Sequence, residues 1–82
     1  MSDSDRERDE LLDQLVEIWR AELLLGAATP DVDFVEVDGS SLTAVRIMNR
    51  VRETLGEDIE TALIFNHSTP RALAAEIVSS RN

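Results

Sequence analysis

The chain has no cysteine, so neither a disulfide framework nor a thiolate metal site is available to staple it. Its stability must come from packing. It also lacks any run of about 18 apolar residues, and its opening stretch 1–9 is polar, mixed in charge and without an apolar h-region. No membrane association is expected, and a soluble, cytoplasmic protein is. Positive charge is scarce as well: lysine is missing, and 8 basic residues face 17 acidic ones for a net charge of −9. A field of that sign repels a polyphosphate backbone, so no nucleic-acid partner is expected.

What remains is 82 residues, 43% of them hydrophobic, enough for one compact domain around one core. Residues 1–8 are expected to form a flexible N-terminus and 9–80 the domain. The basic residues are not evenly spread. Arg46, Arg50 and Arg52 fall close together, either as a solvated helix face or as a docking surface for an acidic partner patch.

From about Asp9 to Leu25, the residues Leu12, Leu15, Val16, Trp19 and Leu23 recur at three- and four-residue spacing. With Asp13, Glu17, Arg20 and Glu22 between them, this is the pattern of an amphipathic helix with Trp19 in the core. Gly26 is its expected stop, with Pro30 preventing resumption. The stretch from Ala27 to Ser40 reads as a long surface connection anchored to the core by Phe34, Val35 and Val37; a short edge strand is the competing reading. Ser41 to Leu55 contains no Gly or Pro and predicts a second helix, capped by Ser40 or Ser41 and ended near Gly56. Asp58 to Phe65 suits one or two helical turns. Ser68 or Thr69 then caps a last helix with Pro70 at its first position and an apolar stripe of Leu73, Ala74, Ile77 and Val78. The expectation is an all-α four-helix bundle, three helices longer and one short, with a long first loop.

On the second helix, Ala44, Ile47, Met48, Val51 and Leu55 gather into one arc, the expected core face. Leu42 and Val45 fall outside it, on the side of Asn49 and Arg52, where a purely structural helix prefers polar residues. Two such residues beside Ser41 form a candidate contact patch. The bland reading is that exposed apolar residues are common and that Leu42 packs on the preceding loop.

The segment Phe34-Val35-Glu36-Val37-Asp38-Gly39-Ser40-Ser41-Leu42 resembles the surroundings of the modified serine in acyl and peptidyl carrier proteins. Thr43 to Glu53 is similar to the second helix of peptidyl carrier domains of nonribosomal peptide synthetases, and Ile64 to Ala74 to their third-to-fourth helix junction. The likeness covers roughly Leu11 to Val78. Two positions depart from the pattern: Asp38 stands where a second glycine is frequent, and Ser40 where aspartate or histidine precedes the modified serine. The Ser-Leu pair aligns Ser41 with the attachment residue.

The resemblance implies that Ser41 carries a covalent 4′-phosphopantetheine arm, placed there from coenzyme A by a phosphopantetheinyl transferase with Mg²⁺. The thiol of that arm holds an aminoacyl, peptidyl or acyl cargo as a thioester, so the absence of cysteine is no obstacle. A serine opening a helix suits the task, because unpaired N–H groups and the helix dipole favour the attached anion. Docking around Ser41 is expected to use Leu42, Val45 and Met48 as apolar centre and Arg46, Asn49 and Arg52 as polar rim. Implied partners are an adenylation enzyme and condensation, ketosynthase, tailoring or thioesterase enzymes, visited by a monomeric, non-catalytic chain. Fatty-acid-type carriers resemble this chain in fold but present acidic residues along the second helix, and Arg46, Arg50 and Arg52 favour a peptidyl cargo. Beginning at Met1 without neighbouring domains, the chain reads as a discrete carrier, with an excised piece of a synthetase as the alternative.

Three rivals are weaker. An esterase with Ser41 as nucleophile and His67 as base has one histidine to draw on and no Gly-x-Ser-x-Gly elbow. A helical adaptor without a prosthetic group uses the Leu42 and Val45 patch alone. Metal binding finds no Asp, Glu and His spacing that matches a known loop.

Overall fold

The computed structural model describes residues 3–81, with side chains from residue 5 onward. Five helices follow one another: α1 (Asp3–Glu22), α2 (Phe34–Val37), α3 (Ser41–Leu55), α4 (Thr61–Asn66) and α5 (Pro70–Arg81). The long helices α1, α3 and α5, with the short α4, make the expected bundle. The single-turn α2 lies within the connection read as a loop, and the described residues contain no strand.

In α1 the buried residues are Leu11, Leu15, Ile18 and Trp19, a stripe that packs on α5 and α3. Leu12 and Val16, expected in that stripe, flank it half-buried, because Ile18 takes the central place. The helix starts at Asp3, ahead of the start expected near Asp9, so most of the segment 1–8 expected to be flexible is helical. Residues 5–10 are exposed and carry no apolar periodicity, which is why the pattern could not reveal the first turns. Met1 and Ser2 lie outside the described residues.

The end of α1 also differs from the expected stop at Gly26. Leu24 takes a left-handed conformation, φ 57°, while Leu24 N donates to Ala21 O at 3.3 Å and Leu25 N to Arg20 O at 2.9 Å. These two bonds satisfy the last carbonyls in a Schellman turn, usually built on glycine. Leu24 is 90% exposed, so its side chain gains nothing from the position.

The long connection is fastened at both ends. Arg71 N donates to Pro30 O at 3.0 Å, and the Arg71 guanidinium forms a forked ion pair with Asp31, Nε to Oδ1 at 2.9 Å. Further along, Phe34 is fully buried, its ring 5.3 Å from that of Phe65 and inclined at 58°. Burying a side chain of this size contributes about 1.5–3 kcal/mol. Val35 and Val37, expected as further anchors, are 46% and 49% exposed, since one helical turn can point only one of the three inward.

The core is completed by Ala44, Ile47 and Val51 of α3, Ile64 of α4, and Leu73, Ala74, Ile77 and Val78 of α5. Thr69 Oγ1 accepts from Ala72 N at 3.1 Å and so caps α5, with Pro70 at the first helical position. At the far end Arg81 pairs with Glu7 of α1 and with Glu57 just after α3, its Nε lying 2.7 Å from Glu57 Oε1. No helix among the described residues is long and apolar enough to cross a membrane.

Candidate functional site

The two adjacent serines have different surroundings. Ser40 is the N-cap of α3, with extended backbone at φ −83° and ψ 147°, and its Oγ accepts from Thr43 N at 3.1 Å. Its own hydroxyl proton goes to Thr43 Oγ1 at 3.1 Å. Ser41 is the first helical residue, exposed, and its hydroxyl has no hydrogen-bond partner among the described residues. The N–H groups of Ser41 and Leu42 also have no acceptor in the described chain, as expected for the first turn of a helix.

The approach to Ser41 is held by backbone. Asp38 N and Gly39 N both donate to Phe34 O, at 2.9 and 3.0 Å, so the loop is hung from a residue seated in the core. Gly39 has φ +70°, and a Cβ there would lie 3.0 Å from Val35 O, which makes glycine the fitting residue. Asp38, at φ −135°, needs no such freedom, and this resolves the first departure from the carrier pattern. Its carboxylate accepts from Ser40 N at 3.0 Å and from the Thr43 hydroxyl at 2.9 Å. Those bonds, from Thr43 first and Ser40 next, hold its carboxyl below the usual carboxylate range. Thr43, the one buried polar side chain of α3 at 5% exposure, was missed by periodicity; a Ser-x-x-Thr spacing at the cap was its available signal.

On the outward side of α3, Leu42 is 63% and Val45 38% exposed, as the sequence predicted. Met48 is half-buried against the core, so it borders this patch without standing in it. Arg46, Asn49 and Arg52 are exposed. The three arginines part ways: Arg50 pairs with Glu22 of α1 at 3.1 Å, Arg52 reaches Asp58 at 3.5 Å, and Arg46 has no ion-pair partner among the described residues. His67 closes α4, its N donating to Leu63 O, and its ring faces Glu76 at 3.7 Å. Ser41 and His67 share no hydrogen bond among the described residues.

The sequence pattern described as a phosphopantetheine attachment site matches residues 13–77. A dimodular nonribosomal peptide synthase of Bacillus subtilis is 39% identical over 56 residues, which is 66% of this chain and 2% of that protein. The polyketide synthase GfsE of Streptomyces halstedii is 44% identical over 55 residues, 67% of this chain and 1% of that protein. This chain thus spans only a very small part of these curated relatives. Among solved structures, BlmI, a type-II acyl-carrier-protein from Streptomyces verticillus involved in bleomycin biosynthesis, superposes with a TM-score of 0.86 at 22% identity. That superposition covers 95% of this chain and 94% of BlmI, a likeness of fold.

Proposed function

The chain belongs to the phosphopantetheine attachment site family, and we propose that Ser41 is the residue that receives its 4′-phosphopantetheine arm. The observation that carries this assignment is the contrast between neighbouring hydroxyls: Ser40 spends its donor and its acceptor inside the fold, and Ser41 offers both to solvent. The position suits a phosphodiester. Free N–H groups of Ser41 and Leu42, at the positive end of α3, lie beside the oxygen that would bear the anion.

The protein is a carrier domain of the kind found in nonribosomal peptide and polyketide systems. When attached, the arm supplies a terminal thiol that holds cargo as a thioester. The chain's own residues anchor it, keep it on the surface and present a face to partners. We read the cargo as aminoacyl or peptidyl, with acyl as the alternative, because Arg46, Arg50 and Arg52 stand exposed on α3, where fatty-acid-type carriers present acidic residues, and suit a partner with an acidic patch. Leu42 and Val45 form the apolar centre of that contact, Met48 its edge, and Arg46, Asn49 and Arg52 its rim. The enzymes met there are a phosphopantetheinyl transferase, an adenylation enzyme, and condensation, ketosynthase, tailoring or thioesterase enzymes. The carrier family is in general non-catalytic, and we read this chain likewise as a non-catalytic monomer, one domain over residues 9–80, working in the cytoplasm.

The test is intact-mass measurement after incubation with coenzyme A, Mg²⁺ and a broad-specificity phosphopantetheinyl transferase. One pantetheinyl adduct is expected on wild type and on Ser40→Ala, and none on Ser41→Ala. A bare wild type, in a tube where a known carrier is modified, refutes the assignment. Arg46→Glu, with Ser41 intact, is expected to slow loading by an adenylation enzyme while leaving the fold unchanged.

A further inference from the structure

Four hydrogen bonds close a small ring around the root of the candidate attachment residue. Ser40 N donates to Asp38 Oδ1 at 3.0 Å, and Thr43 Oγ1 donates to Asp38 Oδ2 at 2.9 Å. Ser40 Oγ donates to Thr43 Oγ1 and accepts from Thr43 N, both at 3.1 Å. Every proton in the ring has one destination: the Thr43 hydroxyl points to the carboxylate, which leaves its oxygen lone pair for the Ser40 hydroxyl. The carboxylate ends the chain of donors. Thr43 is buried and belongs to the core side of α3, so the ring connects the packed interior to the backbone N–H groups of Ser40 and Thr43, which bracket Ser41 and Leu42.

We propose that Asp38, acting through Ser40 and Thr43, is a positioning residue for modification of Ser41: it sets the first turn of α3 so that the Ser41 hydroxyl meets its electrophile in one orientation. This rests on the assignment of Ser41 above. In that step the Ser41 Oγ attacks the phosphorus that bears pantetheine in coenzyme A. An Oγ–P bond forms, the P–O bond to adenosine 3′,5′-bisphosphate breaks, and the hydroxyl proton passes to a base of the transferase. In-line attack is sensitive to where the oxygen sits, and a displacement of about 1 Å costs up to about 100-fold in rate. Asp38 touches neither reactant and works by fixing the backbone from which Ser41 projects. The ring is built within this chain's Asp-Gly-Ser-Ser-Leu-Thr segment.

Steady-state kinetics of the transferase with coenzyme A and Mg²⁺ tests the proposal on wild type, Asp38→Ala, Asp38→Asn, Thr43→Val and the Asp38→Ala/Thr43→Val double variant. Each is assayed well below its melting midpoint, followed by adduct mass. Asp38→Ala and Thr43→Val are each expected to lower kcat about ten-fold, with KM for the carrier changed by less than about two-fold. The double variant is expected to be no slower than the slower single variant, because both break one ring. Asp38→Asn, which keeps one acceptor for Ser40 N and turns its amide towards Thr43 Oγ1, is expected within about three-fold of wild type. If Thr43→Val does not fold, Thr43→Ser takes its place and is expected to match wild type.

Unchanged kcat in Asp38→Ala, or a loss confined to KM, overturns the positioning role. So does an Asp38→Asn variant as slow as Asp38→Ala, since charge and not geometry is then what matters. Failure of wild type itself to be modified overturns the assignment of Ser41 and is distinguishable from all of these.

Discussion

Trp19 and Phe34 donate to the same oxygen: the Trp19 indole Nε1 lies 3.0 Å, and the Phe34 backbone N 2.9 Å, from the carbonyl of Ser68. Both side chains are fully buried, so α1, α2 and the α4–α5 junction meet at one point in the core. From Phe34 the backbone bonds to Asp38 and Gly39 lead outward to Ser41.

Trp19→Phe removes the indole donor and leaves a gap beside Ser68. A loss of about 1–3 kcal/mol is expected, read by urea denaturation followed by circular dichroism. A loss below that range would mean that the surrounding core collapses into the space.

The serine pair makes opposite demands on stability and on modification. Ser40→Ala is expected to cost about 1 kcal/mol, the usual value of an N-cap, while Ser41→Ala changes stability by less than about 0.5 kcal/mol. Denaturation midpoints of the two unmodified variants check this, and a reversed order would show that the cap had been misassigned.

Leu24→Gly is expected to stabilise the chain. A left-handed leucine costs about 1–2 kcal/mol, and the extra freedom of glycine in the unfolded chain returns about 0.4–1 kcal/mol of that. The net gain is about 0.5–1 kcal/mol by the same measures, because the exposed leucine has no packing to lose. Thermal melting of the two proteins decides it.

Acid should release the long connection from α5. The hydrogen bonds from Arg71 lower the folded-state pKa of Asp31, so the pair contributes stability above the unfolded carboxylate value. That contribution is lost as pH falls through the lower, folded value. The stability difference between wild type and Asp31→Asn is thus expected to be present at neutral pH and to shrink below about pH 4. The general loss of negative charge on acidification acts on both proteins alike and drops out of the comparison. A difference that grows on acidification would contradict the pairing.

Features that follow from periodicity were legible in the sequence. The boundaries of α3, the capped start of α5 and the exposure of Leu42 and Val45 all come from three- and four-residue spacing with cap residues at the ends. What escaped were features that depend on one residue's backbone angles or on a tertiary partner. No pattern rule predicts that leucine will occupy a left-handed turn at position 24 when Gly26 stands two residues later. The exposure of Val35 and Val37 follows from a single helical turn too short to show a period. The ring of Asp38, Ser40 and Thr43 was hidden because each member, taken alone, reads as an ordinary loop or helix residue.

Arg81 gathers acidic groups from two distant parts of the chain, Glu7 and Glu57. Anyone grafting this bundle into another polypeptide should therefore place the splice beyond residue 81. A cut one residue earlier strands two carboxylates at the seam between the opening and closing helices, in a protein that already carries a large surplus of negative charge.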